Sequence, residues 1–519
     1  METFDHILNG FAVCLQPTNL LFTFVGVLLG TIIGVLPGIG SAAGIALLLP
    51  ATFGMDPTAA LIMICGIFYG AKYGGSTAAV LIRTPGDASS VMTSLDGYEM
   101  ARKGRAGAAL AIAAIGSFIA GSMGVVALTV FAVPLSSAAL KFGPAEYFML
   151  LLFAMTCVSS LAGKSLGKGI LSAGLGLMLA TVGIDLQSGQ QRYVMGIIEL
   201  QDGVNFIIVS VGMFAVAQVL RGLESIYRGD AAQAMKINGP LWLTREEWRR
   251  SIGPVWRGGI IGFLIGILPG AGGTISAIMS YVTERRLSKN PESFGKGAIE
   301  GVAGPEAANN ADTAGAMVPL LTLGVPGGST TAVLLGAFIM FGLQPGPLLF
   351  QERPDLVWGI VDSMYIGNLI LLILNLPLIA LFTRLLYIPN GLLYPLILTI
   401  SVIGAFAVNL STFDLYIMLI FGLLGYVFEK LEIPIPPLLL SLVLGEMMEQ
   451  SFRRALTISN GDATVFVGSQ ICVVLLIMSV ISLLGPFGWS QLKRLRVFQS
   501  LLSSNRPSDK PEIGAGNAK

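Results

Sequence analysis

Charged residues are missing from long stretches of this chain, and those gaps set its architecture. The longest run from 10 to 55, 106 to 140, 258 to 283, 313 to 351, 363 to 383, 385 to 413 and 463 to 492. An unpaired charge at the centre of a membrane helix costs about 2.5 to 3.5 kcal/mol on insertion scales, so uncharged stretches mark membrane segments better than helix propensity does. Shorter uncharged stretches, such as 57 to 71 and 433 to 445, fit the interior of a bundle. At about 20 residues per crossing, the pattern predicts an all-α polytopic membrane protein with about 12 membrane segments.

Part of the pattern occurs twice. Gly30-Thr-Ile-Ile-Gly34-Val-Leu36-Pro37-Gly38-Ile-Gly40 returns as Gly262-Phe-Leu-Ile-Gly266-Ile-Leu268-Pro269-Gly270-Ala-Gly272, 232 residues later. Leu81-Ile-Arg-Thr-Pro85-Gly86-Asp-Ala-Ser89-Ser90 matches Thr322-Leu-Gly-Val-Pro326-Gly327-Gly-Ser329-Thr330-Thr331 at an offset of 241. Two ordered matches at nearly one offset indicate two structural repeats with broken or re-entrant helices, as in many secondary transporters.

The basic residues imply that the repeats are inverted. No Lys or Arg precedes Lys72, so both flanks of the first Leu-Pro-Gly break read as external. Arg245, Arg249, Arg250 and Arg257 precede the second break and Arg285, Arg286 and Lys289 follow it, so its flanks read as internal. Spans at 58–82, 107–133, 146–161, 168–184 and 203–220 make an odd number between the breaks, which turns the second half over. The expected units are an N-terminal segment 1–19, a first membrane repeat 20–220, a basic cytoplasmic linker 221–254, a second membrane repeat 255–450, an additional C-terminal span 451–492 and a cytoplasmic tail 493–519. Arg453 and Arg454 fall on the external side and fit the positive-inside rule poorly.

Composition agrees and removes several chemistries. Only 12% of the 519 residues are charged, against about 25% in soluble domains. The single histidine, His6, leaves no central residue for a Ser-His-Asp triad or a His-rich zinc site. Cys14, Cys65, Cys157 and Cys472 stand singly in apolar runs and read as small core residues. A net charge of +1 offers no footprint for nucleic acid. An intramembrane aspartyl hydrolase needs two facing aspartates, and only Asp312 stands well inside an apolar context.

The candidate chemistry lies at the repeated breaks. A half-helix that starts inside the membrane aims unpaired N–H groups and its positive dipole end at a cavity, which suits an anion. Gly38, Gly40 and Ser41 form one such turn, and Gly270, Gly272 and Thr274 its mate. Pro85, Gly86, Ser89 and Ser90 pair with Pro326, Gly327, Ser329, Thr330 and Thr331 as a second set with hydroxyls. Small residues also serve close helix packing, as in Gly30 to Gly34 and Gly262 to Gly266. Lys72 either neutralises a substrate carboxylate or snorkels to an interface. Asn309, Asn310 and Asp312 offer hard oxygens for a coupling cation, with a helix-capping role for Asp312 as the alternative. No cofactor is expected beyond that ion.

The runs GTIIGVLPGIGSAAGIALLLP, YGAKYGGSTAAVLIRTPGDASS, GAIEGVAGPEAANNADTAGAMVPLLTLGVPGGSTTAVLLGA and GLQPGPLLF resemble the large membrane subunit of the tripartite tricarboxylate transporters, the TctA family, over about residues 18 to 450. The resemblance implies a bacterial inner-membrane permease that works with a small four-helix membrane subunit and a periplasmic solute-binding protein. It implies uptake of citrate or another carboxylate driven by a Na+ or H+ gradient. A stand-alone secondary anion transporter, or a channel without a binding protein, is the alternative.

Overall fold

The computed structural model describes residues 2–161, 165–185, 187–228 and 241–484. The expected tail 493–519 and the middle of the 221–254 linker lie outside the described residues. The first four helices are α1 (Glu2–Cys14), α2 (Pro17–Val35), α3 (Gly40–Leu48) and α4 (Pro57–Ile82). Proline opens α2 and α4 at a position whose N–H has no helical acceptor anyway. The Asp56 carboxylate then caps α4 by accepting from Thr58 N at 3.0 Å and Ala59 N at 3.1 Å.

Four helices follow: α5 (Thr93–Arg102), α6 (Ala106–Ala139), α7 (Pro144–Leu161) and α8 (Leu166–Ala180). A loop carries the short antiparallel pair Gly183–Ile184 and Gln191–Arg192. Next, α9 (Phe206–Ser210) passes through a π-helical turn, Val211–Val216, into α10 (Ala217–Arg228). A capping box starts α11 (Arg245–Gly266): Glu247 N donates to Thr244 Oγ1 at 3.3 Å, and the Glu247 carboxylate accepts from Thr244 N at 2.8 Å. The chain continues as α12 (Gly272–Leu287), α13 (Glu300–Leu323), α14 (Ser329–Met340), α15 (Pro347–Glu352), α16 (Pro354–Asn375), α17 (Ile379–Phe382), α18 (Asn390–Asn409), α19 (Thr412–Lys430) and α20 (Pro436–Ile458). Since α11 runs through residue 254 and α20 through residue 450, neither position separates helices.

Among the described residues, six helices are long and apolar enough to cross a bilayer: Pro17–Val35, Ala106–Ala139, Phe206–Arg228, Pro354–Asn375, Gly391–Asn409 and Thr412–Lys430. Shorter apolar helices, among them Ser329–Met340 and Gln470–Leu484, accompany them. Their outer faces are apolar. Val126 and Val130 on α6, Ile260 and Leu264 on α11, and Leu419 and Leu423 on α19 are all more than half exposed, as a hydrocarbon solvent requires. The chain is an all-α polytopic membrane protein.

Two helices form the centre. Every residue from Ala59 to Ile82 in α4 and from Gly301 to Thr322 in α13 is buried. Glycine sets how closely their neighbours approach. On α2, a Cβ at Gly26, Gly30 or Gly34 would strike the carbonyl oxygen of Met63, Ile67 or Ala71 of α4. On α11, a Cβ at Gly258, Gly262 or Gly266 would strike that of Gly304, Ala308 or Asp312 of α13. Lipid tails provide no hydrophobic drive between helices, so this backbone contact is a main source of helix affinity. Each glycine of the first set precedes its match by the 232 residues of the first sequence offset, and each carbonyl by the 241 of the second.

Candidate functional site

The two breaks share one backbone geometry. Between α2 and α3, Gly38 and Gly40 have φ of +76° and +74°; between α11 and α12, Gly270 and Gly272 have +81° and +62°. Side chains disfavour that left-handed region, so glycine is what lets each helix stop and restart within a few residues. Each break is tied to a Pro-Gly turn: Gly38 N donates to Pro85 O at 3.3 Å, and Gly270 N donates to Gly327 O at 2.8 Å. A hydroxyl pair, Ser41 Oγ and Thr330 Oγ1 at 2.8 Å, joins the first break to the start of α14. All four turns therefore meet at one place.

They surround a cavity of about 720 Å³, within the range of small-molecule sites. Gly38 to Ala43 and Thr84 to Ala88 line one side, Gly270 to Ile275 and Gly327 to Thr331 the other. Lys72 of α4 and Asp312 of α13 add charge, while Phe214 of the π-helical turn and Pro436 add apolar surface. Two further cavities, of about 470 and 570 Å³, lie away from these breaks.

A buried ion pair anchors the first side. Lys72 Nζ lies 3.1 Å from Asp87 Oδ1 and 3.1 Å from Ser89 Oγ, with the Lys72 and Asp87 side chains 6% and 7% exposed. Asp87 is held by further donors: Ser89 N at 3.0 Å and Ser89 Oγ at 2.5 Å on Oδ1, Ser41 N at 2.9 Å and Ser41 Oγ at 2.7 Å on Oδ2. Lys72 does not reach an interface, so the snorkelling alternative fails. Its ammonium stays inside because a carboxylate and a hydroxyl replace the water it has lost. On the other side, Ser276 Oγ donates to Asp312 Oδ1 at 2.7 Å. With all three groups ionised, the lining carries one positive and two negative charges.

The structure brings most of the expected residues together. Gly38, Gly40, Ser41, Lys72, Pro85, Gly86, Gly270, Gly272, Thr274, Gly327, Ser329, Thr330, Thr331 and Asp312 line the cavity. Thr331 spends its hydroxyl on its own helix start, where Oγ1 accepts from Gly328 N at 2.9 Å. Ser89, Ser90 and Pro326 stand behind the wall; Ser90 is fully buried, and its Oγ has no hydrogen-bond partner among the described residues. The Pro85 turn leads into a 3-10 turn, Ala88–Val91, which passes through Met92 in helical backbone into α5.

The Asn309–Asp312 run also differs from its expectation. It lies in the middle of α13, which begins at Glu300 and accommodates Pro305 and Pro319. Asp312 is therefore not a helix cap. Asn310 Nδ2 donates to Ser117 Oγ at 2.6 Å and to Glu306 O at 3.1 Å, which fastens α13 to α6 away from the cavity. Asn309 is fully buried, and its Oδ1 receives no hydrogen bond from the described residues.

Two residues escaped the sequence reading of the site. Asp87 carries most of the polar contacts of the first side, and the available clue was an apolar run containing Lys72 with no nearby countercharge. Glu306 is fully buried behind the cavity, where its carboxylate accepts from Ser76 Oγ at 2.5 Å and from Thr93 Oγ1.

A family model described as the tripartite tricarboxylate transporter TctA family matches residues 20–440. The chain belongs to the tripartite tricarboxylate transporter TctA family. All four turns of the cavity fall inside the span that defines this TctA family chain. The chain is 48% identical over 476 residues to an Agrobacterium vitis protein described as an uncharacterized 52.8 kDa protein in the TAR-I ttuC' 3' region, covering 92% of this chain and 94% of that one. It is 50% identical over 215 residues to a second Agrobacterium vitis protein, described as an uncharacterized protein in the TAR-II ttuC' 3' region, covering 41% of this chain and 89% of that one. No solved structure matches the chain. Family membership makes it a membrane subunit of a tripartite tricarboxylate transporter.

Proposed function

We propose that this TctA family chain is the large permease subunit of a binding-protein-dependent secondary transporter that imports a di- or tricarboxylate of the citrate type across the bacterial inner membrane. The observation that carries the reading is the cavity itself. Two interrupted helices start at its wall, hydroxyls and one lysine face it, and it lies among buried helices. Irregular backbone at membrane depth is tolerated where it lines such a cavity. Its partners in this reading are a small four-helix membrane subunit and a periplasmic solute-binding protein.

Charge balance supports cation coupling. Moving a trianion into a cell that is negative inside costs about 2.3 kcal/mol per charge per 100 mV, so roughly 7 kcal/mol for three charges. The lining adds no surplus positive charge to offset this. Na+ or H+ must accompany the substrate, and Asp312, held by Ser276 at 2.7 Å, is the carboxylate on the wall suited to that role. Asn309 and Asn310 are less suited to the cation than Asp312, because the Asn310 amide already joins two helices and Asn309 stands beside the start of α12. The duplicated glycine–carbonyl contacts support two repeats, and the distribution of Lys and Arg supports their inversion.

Proteoliposomes containing the chain and its small subunit, with the binding protein outside, test the reading. Labelled tricarboxylate is expected to accumulate only with the binding protein and an inward Na+ or H+ gradient. Equal uptake without the binding protein would overturn the tripartite reading, and uptake indifferent to both gradients would overturn the coupling.

A further inference from the structure

The two breaks match in backbone but not in charge. At the first, Asp87 stands in extended backbone, φ −123° and ψ 145°, and its Oδ2 lies on the Ser41 N–H at the start of α3. The position that matches Asp87 at the second break is Gly328, also extended, at φ −174° and ψ −172°. The neighbours match as well. A Cβ on Gly40 would lie 3.6 Å from Asp87 Oδ2, and a Cβ on Gly328 would lie 3.6 Å from Gly272 Cα, which is an ordinary contact. The fold thus builds one place for a carboxylate twice and supplies the carboxylate once.

Two observations point to an anion at the second place. Lys72 Nζ lies between the breaks: it bonds Asp87 and also stands 3.0 Å from where a Cβ on Gly273 would be. The amide of Asn309, fully buried and with no donor to its Oδ1, places that oxygen 3.1 Å from the same point. An amide rotates in its slot, so this group can present either its acceptor or its N–H donors to a guest. Its Nδ2 has no hydrogen-bond partner among the described residues either, and once the amide is turned that N–H is the donor an anion at this place completes.

We propose that the start of α12, with Lys72 and Asn309, is the subsite for one substrate carboxylate, and that Asp87 is a tethered counterpart of that carboxylate at the start of α3. The proposal rests on the import reading for the substrate's identity alone; the subsite itself is defined by carboxylate geometry. Substrate then arrives as the second of two carboxylates sharing Lys72. The absence of a side chain at Gly328 is what leaves room for it.

The test uses the purified full-length chain in detergent, with formate as the probe and chloride as the ionic-strength control. Thermal unfolding is followed for wild type, Asp87→Gly, Gly328→Ala and Gly328→Asp. Wild type and Gly328→Ala keep one subsite and are expected to gain the same formate-dependent rise in Tm. Asp87→Gly opens the second cradle and gains a larger rise, while Gly328→Asp fills the subsite from within and loses the rise. A rise in Gly328→Asp equal to wild type would overturn the subsite. A rise in Asp87→Gly no larger than wild type would overturn the role of Asp87, and this arm stands even if Gly328→Asp does not fold. No transport is measured, so a failed uptake assay with the formate order intact would sink the import reading and leave the subsite standing.

Discussion

Replacing Asp87 by Asn removes one charge at nearly constant shape and isolates what the ion pair contributes. The carboxylate accepts from Lys72 Nζ, from the N–H and hydroxyl of Ser89 and from the N–H and hydroxyl of Ser41. An amide has one acceptor oxygen, so whichever way it turns, its NH₂ faces the Ser41 N–H or the Ser89 N–H and Lys72, and at least one donor loses its partner. The ammonium is also left buried without a countercharge; breaking a buried pair in this way costs about 3 to 5 kcal/mol, a large share of a typical stability of about 5 to 15 kcal/mol. Lys72→Met removes the stranded charge, so the double variant is expected to be more stable than Asp87→Asn alone. The assay is unfolding by SDS in mixed micelles for wild type, both single variants and the double variant. A coupling energy of about 2 kcal/mol or more is expected, and additivity within about 0.5 kcal/mol would refute the pair as an energetic unit.

Other expectations follow from the same geometry. Gly34→Ala and Gly266→Ala each drive a methyl into the carbonyl oxygen of Ala71 or Asp312; each should lose about 1 to 3 kcal/mol in the same assay, while Gly174→Ala, which meets nothing within 4 Å, should lose none. Asp312→Asn should flatten the dependence of uptake on cation concentration, measured against sodium at fixed pH and against pH at fixed sodium; an unchanged dependence would remove Asp312 from the coupling site. Single cysteines at Phe53 and Leu287, both more than half exposed, should label from opposite sides of the membrane, and labelling from one side would end the inverted-repeat reading.

The breaks were legible in the sequence because backbone chemistry writes them there. A proline cannot donate, a glycine can take positive φ, and the same order of residues occurs twice. The hydroxyls at Ser41 and Thr330 were legible for the same reason, since they sit at fixed distances from those breaks. The Lys72–Asp87 pair was not. It spans a turn that closes only when Gly86 packs on the carbonyl of Gly34, and no local period announces such a contact. The Gly304–Thr313 run misled in another way. Its polar residues read as an ion site or, at Asp312, a helix cap, yet α13 carries the run through a buried core where Asn310 and Glu306 are held by Ser117, Ser76 and Thr93 from neighbouring helices. Tertiary partners, invisible to spacing, made those polar residues affordable inside a helix.

Whether the cavity between the two breaks holds the carboxylate is tested most directly at Thr330. Thr330 lines that cavity with its hydroxyl hydrogen-bonded to that of Ser41 at 2.8 Å, and the native cysteines, Cys14, Cys65, Cys157 and Cys472, are all buried. In Thr330→Cys the measurement is the rate of alkylation by a small anionic thiol reagent, with and without a di- or tricarboxylate that supports uptake. Such a carboxylate is expected to slow the reaction at saturating concentration, while a neutral compound of the same size leaves it unchanged. An alkylation rate indifferent to every transported carboxylate would contradict that expectation and place the substrate elsewhere.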